Sequence, residues 1–446
     1  MEYTFFVMND TSKRKLVALL LEFLRLVLIG VTTGVVVGVY QLGLQGISKL
    51  SSFLYGSSSI WLVLSLICSV IALSLLNFFI LKWCPSIDGS GIPVVEQAIR
   101  KEKKLTWKKD IPGMIANSFA STFVGFPLGS EGPSVVLGGK IGKAYSDLFK
   151  RGDDSEDIGI ASGAGFGCAF LSPLAGLVYS FEESMHRVSW KLIIKGVIVS
   201  LSSFGVTFLI NHHHLLEIET VVPTYGINNV AFIFVAVLSL VVGLCFKHFI
   251  VFLKDKFNQF DNIKVVKYRG YLLFALMFIL NVFLYPYMGS GSNIISSLSE
   301  WTNIALVIGV LVFRFALTSL SGAGKVTGGL VVPIMCLGAL VGRIAVLVCG
   351  SMFKFDMECS EFVMLFSMVT TFTVITKAPM TSIVLVLSAL VYSSSSFDVF
   401  HTGTFIGIIC IVVCHLFVQL FRQNDLYDEF IDVSKRNEER LKAADN

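Results

Sequence analysis

The feature that most constrains this chain is a row of apolar segments that stop and restart at Gly and Pro, several of them too short to cross a bilayer. They fall near 16–50, 60–81, 112–128, 158–181, 192–210, 230–253, 270–285, 303–320, 328–350, 362–376, 379–392 and 403–421. A spanning helix needs about 20 apolar residues, and segments such as 112–128 fall short. Inside a bilayer, interrupted backbone is tolerated only where it is buried in protein or lines a cavity. The expected fold is therefore an all-α polytopic membrane protein in which broken helices meet around a site. Composition agrees: 54% of the 446 residues are hydrophobic and 15% are charged, against about 25% charged in a soluble domain.

Charge orients the chain. Met1 to Lys15 is a polar lead ending in Lys13-Arg14-Lys15, and the apolar run that follows it from Leu16 is too long for a cleavable signal. Basic loops at Arg100–Lys109 and Lys254–Arg269 predict cytoplasmic faces, whereas the loop 211–229, with Glu217 and Glu219, reads as external. The expected organisation is a cytoplasmic segment 1–15, a first repeat 16–215, a second repeat 228–433 and a charged cytoplasmic tail 434–446, and the acidic residues from Asp425 to Glu439 are expected to form a solvated tail. With no large domain appended, the expected residence is a prokaryotic plasma membrane.

One stretch, Gly125 to Gly142, organises the rest. It places the carboxylate Glu131 between Gly129 and Gly132-Pro133. Proline is suited to the first turn of a helix, so a helix should begin here with its free N–H groups facing what precedes it. Such an N-terminus attracts an anion. Glu131 would be that anion until a solute anion displaces it or a proton neutralises it. The plainer alternative is a structural carboxylate paired with Lys140.

The sequence repeats itself internally. Ala169-Phe-Leu-Ser-Pro173 is echoed around Pro379, Gly129–Gly142 by Thr327–Gly342, and Asp88-Gly-Ser-Gly-Ile-Pro by Met288-Gly-Ser-Gly-Ser-Asn. The three elements keep their order, offset by roughly 200 residues. Two halves that each bring a helix end to the midplane can surround one site.

Other patterns carry less. Ser321-Gly-Ala-Gly-Lys325-Val-Thr327 lacks the first Gly of a phosphate loop and has Val326 where Ser or Thr is needed. His212-His213-His214 has no partner motif, so a solvated loop is expected. The nine Cys are scattered without a CxxC pair and read as small buried hydrophobes.

Gly89-Ser90-Gly91-Ile92-Pro93, Gly129-Ser130-Glu131-Gly132-Pro133, Gly329-Leu330-Val331-Val332-Pro333 and Tyr427, in that order, resemble the motifs of the CLC family of chloride channels and chloride/proton antiporters. The resemblance runs from about Val17 to Val433. It implies two inverted-topology repeats of broken, tilted helices, a homodimer with one pore per subunit, and exchange of two chlorides per proton. It assigns anion binding to the Ser90 hydroxyl, the Tyr427 phenol and the Leu330 and Val331 N–H groups. Gly89, Gly91, Ile92, Gly132 and Gly329 would form the backbone of the anion path. Glu131 matches the external gate. Glu183, ten residues after Pro173, matches the internal proton-transfer glutamate, and Glu182 would line the inner water access. A carboxylate inside a membrane is costly and is a functional candidate on that ground alone. Plainer readings make Glu182 and Glu183 a solvated helix end and Tyr427 an interfacial aromatic.

The chain departs from the family pattern in three places. Ser130 stands where the family usually has Arg, Val331 where it usually has Phe, and Ser388 where many relatives have Glu. The implied partners are chloride, with other halides or nitrate as further anions, together with protons and the bilayer. No cofactor, metal or nucleic acid is implied. The alternatives are a passive chloride channel of the same fold and a fluoride/proton antiporter, against which the Ser90 string speaks. An intramembrane enzyme is the most distant, since the chain has no HExxH, GxSxG or paired intramembrane Asp.

Overall fold

The computed structural model describes residues 10–56, 60–211, 230–260, 268–352, 359–393 and 402–445. The external loop with Glu217 and Glu219 and the three adjacent histidines lie outside these residues, as does the start of the polar lead. Within them the chain is helical, and its only strand-like pairing is two isolated bridges. In chain order the helices are α1 Asp10–Tyr55, α2 Ile60–Trp83, α3 Ile92–Ile99, α4 Asp110–Val124, α5 Glu131–Leu148 and α6 Ser155–Ala169. Next come α7 Pro173–Tyr179, α8 Trp190–Ile210, α9 Val230–Gln259, α10 Arg269–Leu284, α11 Ser292–Ser297 and α12 Ile304–Ala323. The last five are α13 Val331–Met352, α14 Ser360–Thr376, α15 Pro379–Ser393, α16 Thr402–Leu420 and α17 Leu426–Asp445.

Among the described residues, eight helices are long and apolar enough to cross a membrane. Large apolar side chains on α1, α2, α8, α9, α10 and α16 stay exposed, as lipid-facing surfaces require. The protein is an integral, multi-pass membrane protein.

Proline sets where the inner helices start. Pro93, Pro133, Pro173, Pro333 and Pro379 all fall within the first three residues of α3, α5, α7, α13 and α15. There a missing N–H breaks no hydrogen bond. The ends before α7 and α15 match as well: Leu171 and Lys377, each two residues before its proline, both take the left-handed conformation.

The inner helices pack backbone to backbone. A Cβ on Gly138 of α5 would collide with the Ala161 carbonyl of α6, and one on Gly165 of α6 with the Ser134 carbonyl of α5. At Gly338 and Gly342 of α13 an added Cβ would likewise meet the α14 backbone, at 2.7 and 2.8 Å. Small residues are what allow this approach in lipid, where dispersion contacts and hydrogen bonds carry helix association.

The acidic stretch that starts at Asp425 is not a loose solvated tail at its beginning. α17 buries Leu426, Tyr427, Phe430 and Ile431, and its polar face pairs back to the body through Asp428–Arg100 at 2.7 Å and Arg440–Asp255 at 3.1 Å.

Candidate functional site

Four segments converge where helices start. Gly89 N–H donates to Val326 O at 3.1 Å, and Gly328 N–H donates to Gly89 O at 3.0 Å. Gly129 and Gly329 exchange both backbone bonds at 2.8 Å. Gly289 N–H donates to Gly125 O at 3.0 Å. The glycine strings of the N-terminal and C-terminal parts of the chain are thus joined main chain to main chain. Side chains would prevent it: a Cβ on Gly329 would lie 2.6 Å from Gly132 N. Gly89 and Gly91 take positive φ, as do their counterparts Gly289 and Gly291, a conformation that glycine adopts without strain.

Glu131 is the first residue of α5 and is 1% exposed. Its Oε1 accepts from Ser130 Oγ at 2.8 Å. Its Oε2 lies back over Gly129, in space a Cβ there would fill, and no side-chain donor reaches it. Lys140 is not its partner: Lys140 Nζ donates to Asp110 Oδ2 at 2.7 Å, in a pair with no exposed surface. On the side where α1 ends, away from the basic loops, a cavity of about 170 Å³ reaches Glu131. Hydroxyls and amides line it, among them Gln41, Ser48, Ser51, Ser130, Ser290 and Asn293, and among the described residues Glu131 is the one charged group that does.

Beneath this, Ser90 is buried beside Gly132, where an added Cβ would come within 3.2 Å of Ser90 Cβ and 2.8 Å of Gly329 Cα. Ile92 follows at the start of α3. Leu330 and Val331 are buried at the start of α13, whose first N–H groups have no intrahelical acceptor. Tyr427 is 1% exposed, which removes the interfacial-belt reading, and its hydroxyl has no partner among the described residues. It lies within electrostatic reach of both Glu131 and Glu183.

Glu183 sits in a π-helical turn, Ser180–Ser184, that continues α7, and it is 4% exposed with Oε1 unpartnered. It is buried, not a solvated helix end. Asp425, Glu96, Glu182 and Asp428 are the carboxylates within electrostatic reach of it. Glu182 points elsewhere: its carboxylate caps the N-terminus of α15, accepting from Met380 N at 2.8 Å and from Thr381 N and Oγ1 at 2.7 Å. Ser388, on the same α15, shares a hydrogen bond with Ser172 across a 2.8 Å gap.

Several residues of the inner cluster go beyond the motif reading. Glu96, 3% exposed, lies 3.8 Å from Arg100, and as an acid in the apolar run Ile92–Ile99 it left a visible signal. Tyr179 stacks on Phe166 at 4.2 Å with its hydroxyl unpartnered. Asp425, outside the spanning helices, is pushed up to about 7 by burial and by the neighbouring Asp428 carboxylate. Asp110, which also accepts from Ser86 and Thr106, left no sequence signal, since its cation is thirty residues away.

Comparison with known proteins places this geometry. The family described as voltage gated chloride channel matches residues 72–393. A curated relative from Citrobacter koseri, the H(+)/Cl(-) exchange transporter ClcA, is 28% identical over 321 residues, covering 70% of this chain and 67% of the relative. Three solved structures share the fold. A slow cyanobacterial Cl-/H+ antiporter matches with TM-score 0.81 at 21% identity, over 93% of this chain and 99% of its own. A CLC-type fluoride/proton antiporter matches with TM-score 0.73 at 18% identity, over 92% and 98%. A eukaryotic CLC transporter matches with TM-score 0.74 at 18% identity, over 94% and 75%.

Proposed function

The chain belongs to the voltage-gated chloride channel (CLC) family, and from that premise we propose that it exchanges chloride for protons, with Glu131 as the outer gate and Glu183 as the inner proton-transfer residue. The observation that carries this reading is the seat of Glu131. A buried carboxylate occupies a helix N-terminus at the junction of two glycine strings, where a solute anion would be stabilised by the same dipole and N–H groups.

Chloride and the Glu131 carboxylate compete for that seat. A proton on Glu131 removes its charge and its hold on the helix end, and the side chain yields to chloride. The Ser90 hydroxyl, the Tyr427 phenol and the first N–H groups of α13 then stabilise chloride with partial charges, firm enough to bind and weak enough to release. The proton leaves by way of Glu183, which is buried and within electrostatic reach of Asp425 and Glu96. Glu182 supports the route indirectly in this reading, holding the end of α15 against the α7 segment. The repeats 16–215 and 228–433 contribute to one pathway per subunit, and two subunits form the working dimer.

The test is flux from reconstituted liposomes loaded with high chloride, diluted into low chloride, and clamped with valinomycin and potassium. Chloride efflux that drags protons inward against their gradient supports exchange. Chloride efflux without protons assigns a passive channel. Proton movement with fluoride and none with chloride assigns a fluoride/proton antiporter, the activity named for one structural relative.

A further inference from the structure

We infer that Lys254 recruits chloride to the cytoplasmic mouth of the pathway, supplying there a positive charge that no described residue lining the outer cavity supplies. This rests on the chloride-exchange reading and names a residue that reading does not include.

Lys254 lies near the C-terminal end of α9. Its ammonium stands 4.2 Å from the centroid of Phe430, which follows Tyr427 by one turn of α17. A Cβ built on Gly89 would meet the Lys254 Nζ at 3.8 Å and no other heavy atom within 4 Å. The ammonium is therefore held against the face of a ring, beside the backbone just before Ser90 and over the helix that carries Tyr427.

An ammonium has three donors and ordinarily satisfies them on carboxylates, carbonyls or water. Among the described residues no carboxylate comes within ion-pair distance of Lys254, and its ammonium packs on the Phe430 ring. The charged groups within electrostatic reach are Asp88 and Arg269. Two other cations on these helices are committed: Lys247 of α9 donates to Gln423 Oε1 at 3.0 Å and Asn424 O at 2.9 Å, and Arg440 of α17 pairs with Asp255. Lys254 is left with a charge that no carboxylate among the described residues pairs, beside the backbone of the Gly89–Gly91 string. A ring face holds such a cation in place without neutralising it, and charge in a narrow mouth concentrates counter-ions.

The outer cavity is built differently. Hydroxyls and amides line it, and Ser130 stands at its floor without a charge. The two ends should therefore differ in how chloride capture responds to salt, with the inner end alone drawing on a fixed positive charge among the described residues.

The experiment compares wild type, Lys254→Met and Lys254→Arg in proteoliposomes sorted by orientation through a C-terminal affinity tag. Half-saturating chloride is measured from each side. The expected result for Lys254→Met is a rise of roughly three- to tenfold on the cytoplasmic side, the scale of one charge near water. The external value and the proton-to-chloride ratio stay unchanged, and Lys254→Arg restores the cytoplasmic value. Added impermeant salt should weaken cytoplasmic capture in wild type and not in Lys254→Met. Equal effects on both sides, or a fall in melting temperature that accounts for the change, would reassign Lys254 to holding α17 in place. No effect in an active Lys254→Met protein overturns the inference alone. A wild type that moves no chloride overturns the exchange reading itself.

Discussion

Ser130 Oγ donates to Glu131 Oε1 at 2.8 Å, so the carboxylate at the start of α5 is held by the residue immediately before it. A hydrogen bond to a charged group contributes about 1.5–3 kcal/mol, and this one exists only while the carboxylate is seated. Ser130 acts as a latch on the gate, where an arginine would act as a counter-charge. Removing it with Ser130→Ala should speed chloride turnover several-fold at a fixed pH, read by chloride efflux from liposomes. Unchanged turnover would mean the bond does not restrain Glu131.

Neutralising the two glutamates should separate the transported species. Glu131→Gln is expected to keep chloride flux and lose proton movement, because an amide vacates the anion seat without carrying a proton. Glu183→Gln should also uncouple protons while Glu131 still gates. Simultaneous recording of external pH and chloride checks both, and continued proton pumping by either variant refutes the role of that residue.

The glycine junction tolerates no side chain. A Cβ on Gly329 would sit 2.6 Å from Gly132 N and 3.0 Å from Gly129 O, all backbone, so neither neighbour can rotate away. Gly329→Ala should abolish anion transport and lower the melting temperature by several degrees. Gly152→Ala, where an added Cβ meets nothing within 4 Å, serves as the control in thermal unfolding of the detergent-solubilised protein.

Asp110 and Lys140 form an ion pair with both side chains fully buried, and Ser86 and Thr106 also donate to Asp110 Oδ2. Breaking such a pair from one side strands a buried charge and costs about 3–5 kcal/mol, whereas removing both charges costs far less. Asp110→Asn and Lys140→Met should each destabilise the protein strongly, and the double variant should recover much of the loss. A double-mutant cycle by thermal melting reads this directly, and additive losses would show that the two residues are not coupled.

Asp425 gives stability a pH dependence. Burial and the Asp428 carboxylate push it up to about 7 in the folded protein, against an ordinary value of about 3.9. A group raised on folding binds its proton more tightly in the native state, so its contribution is fully present below the unfolded value and is lost as pH rises through about 7. The wild type should therefore melt at higher temperature at pH 5.5 than at pH 8, and the difference should shrink in Asp425→Asn. An equal pH dependence in both proteins would assign it to other groups.

Much of this protein was legible from sequence, because its strongest signals are local. The first-turn positions of Pro93, Pro133, Pro173, Pro333 and Pro379 follow from a ring that fixes φ and removes an N–H. The turns at Gly89 and Gly91 follow from a residue without a Cβ, and the membrane setting follows from the length and apolarity of the segments. Glu131 stood out as a charge among glycines, and it lies buried at the start of its helix. The rest depended on residues far apart in the chain. No local rule matches Lys140 to Asp110 rather than Glu131, sends the Glu182 carboxylate to the end of α15, or sets Lys254 beside Gly89. α17 looked like a solvated tail because its charges dominate its composition, yet one face of it is buried with Tyr427. Sequence by itself determined where the backbone had to break, since that depends on adjacent residues. Only the tertiary structure decided which charges meet at the breaks, since a partner is chosen by distance and burial in three dimensions.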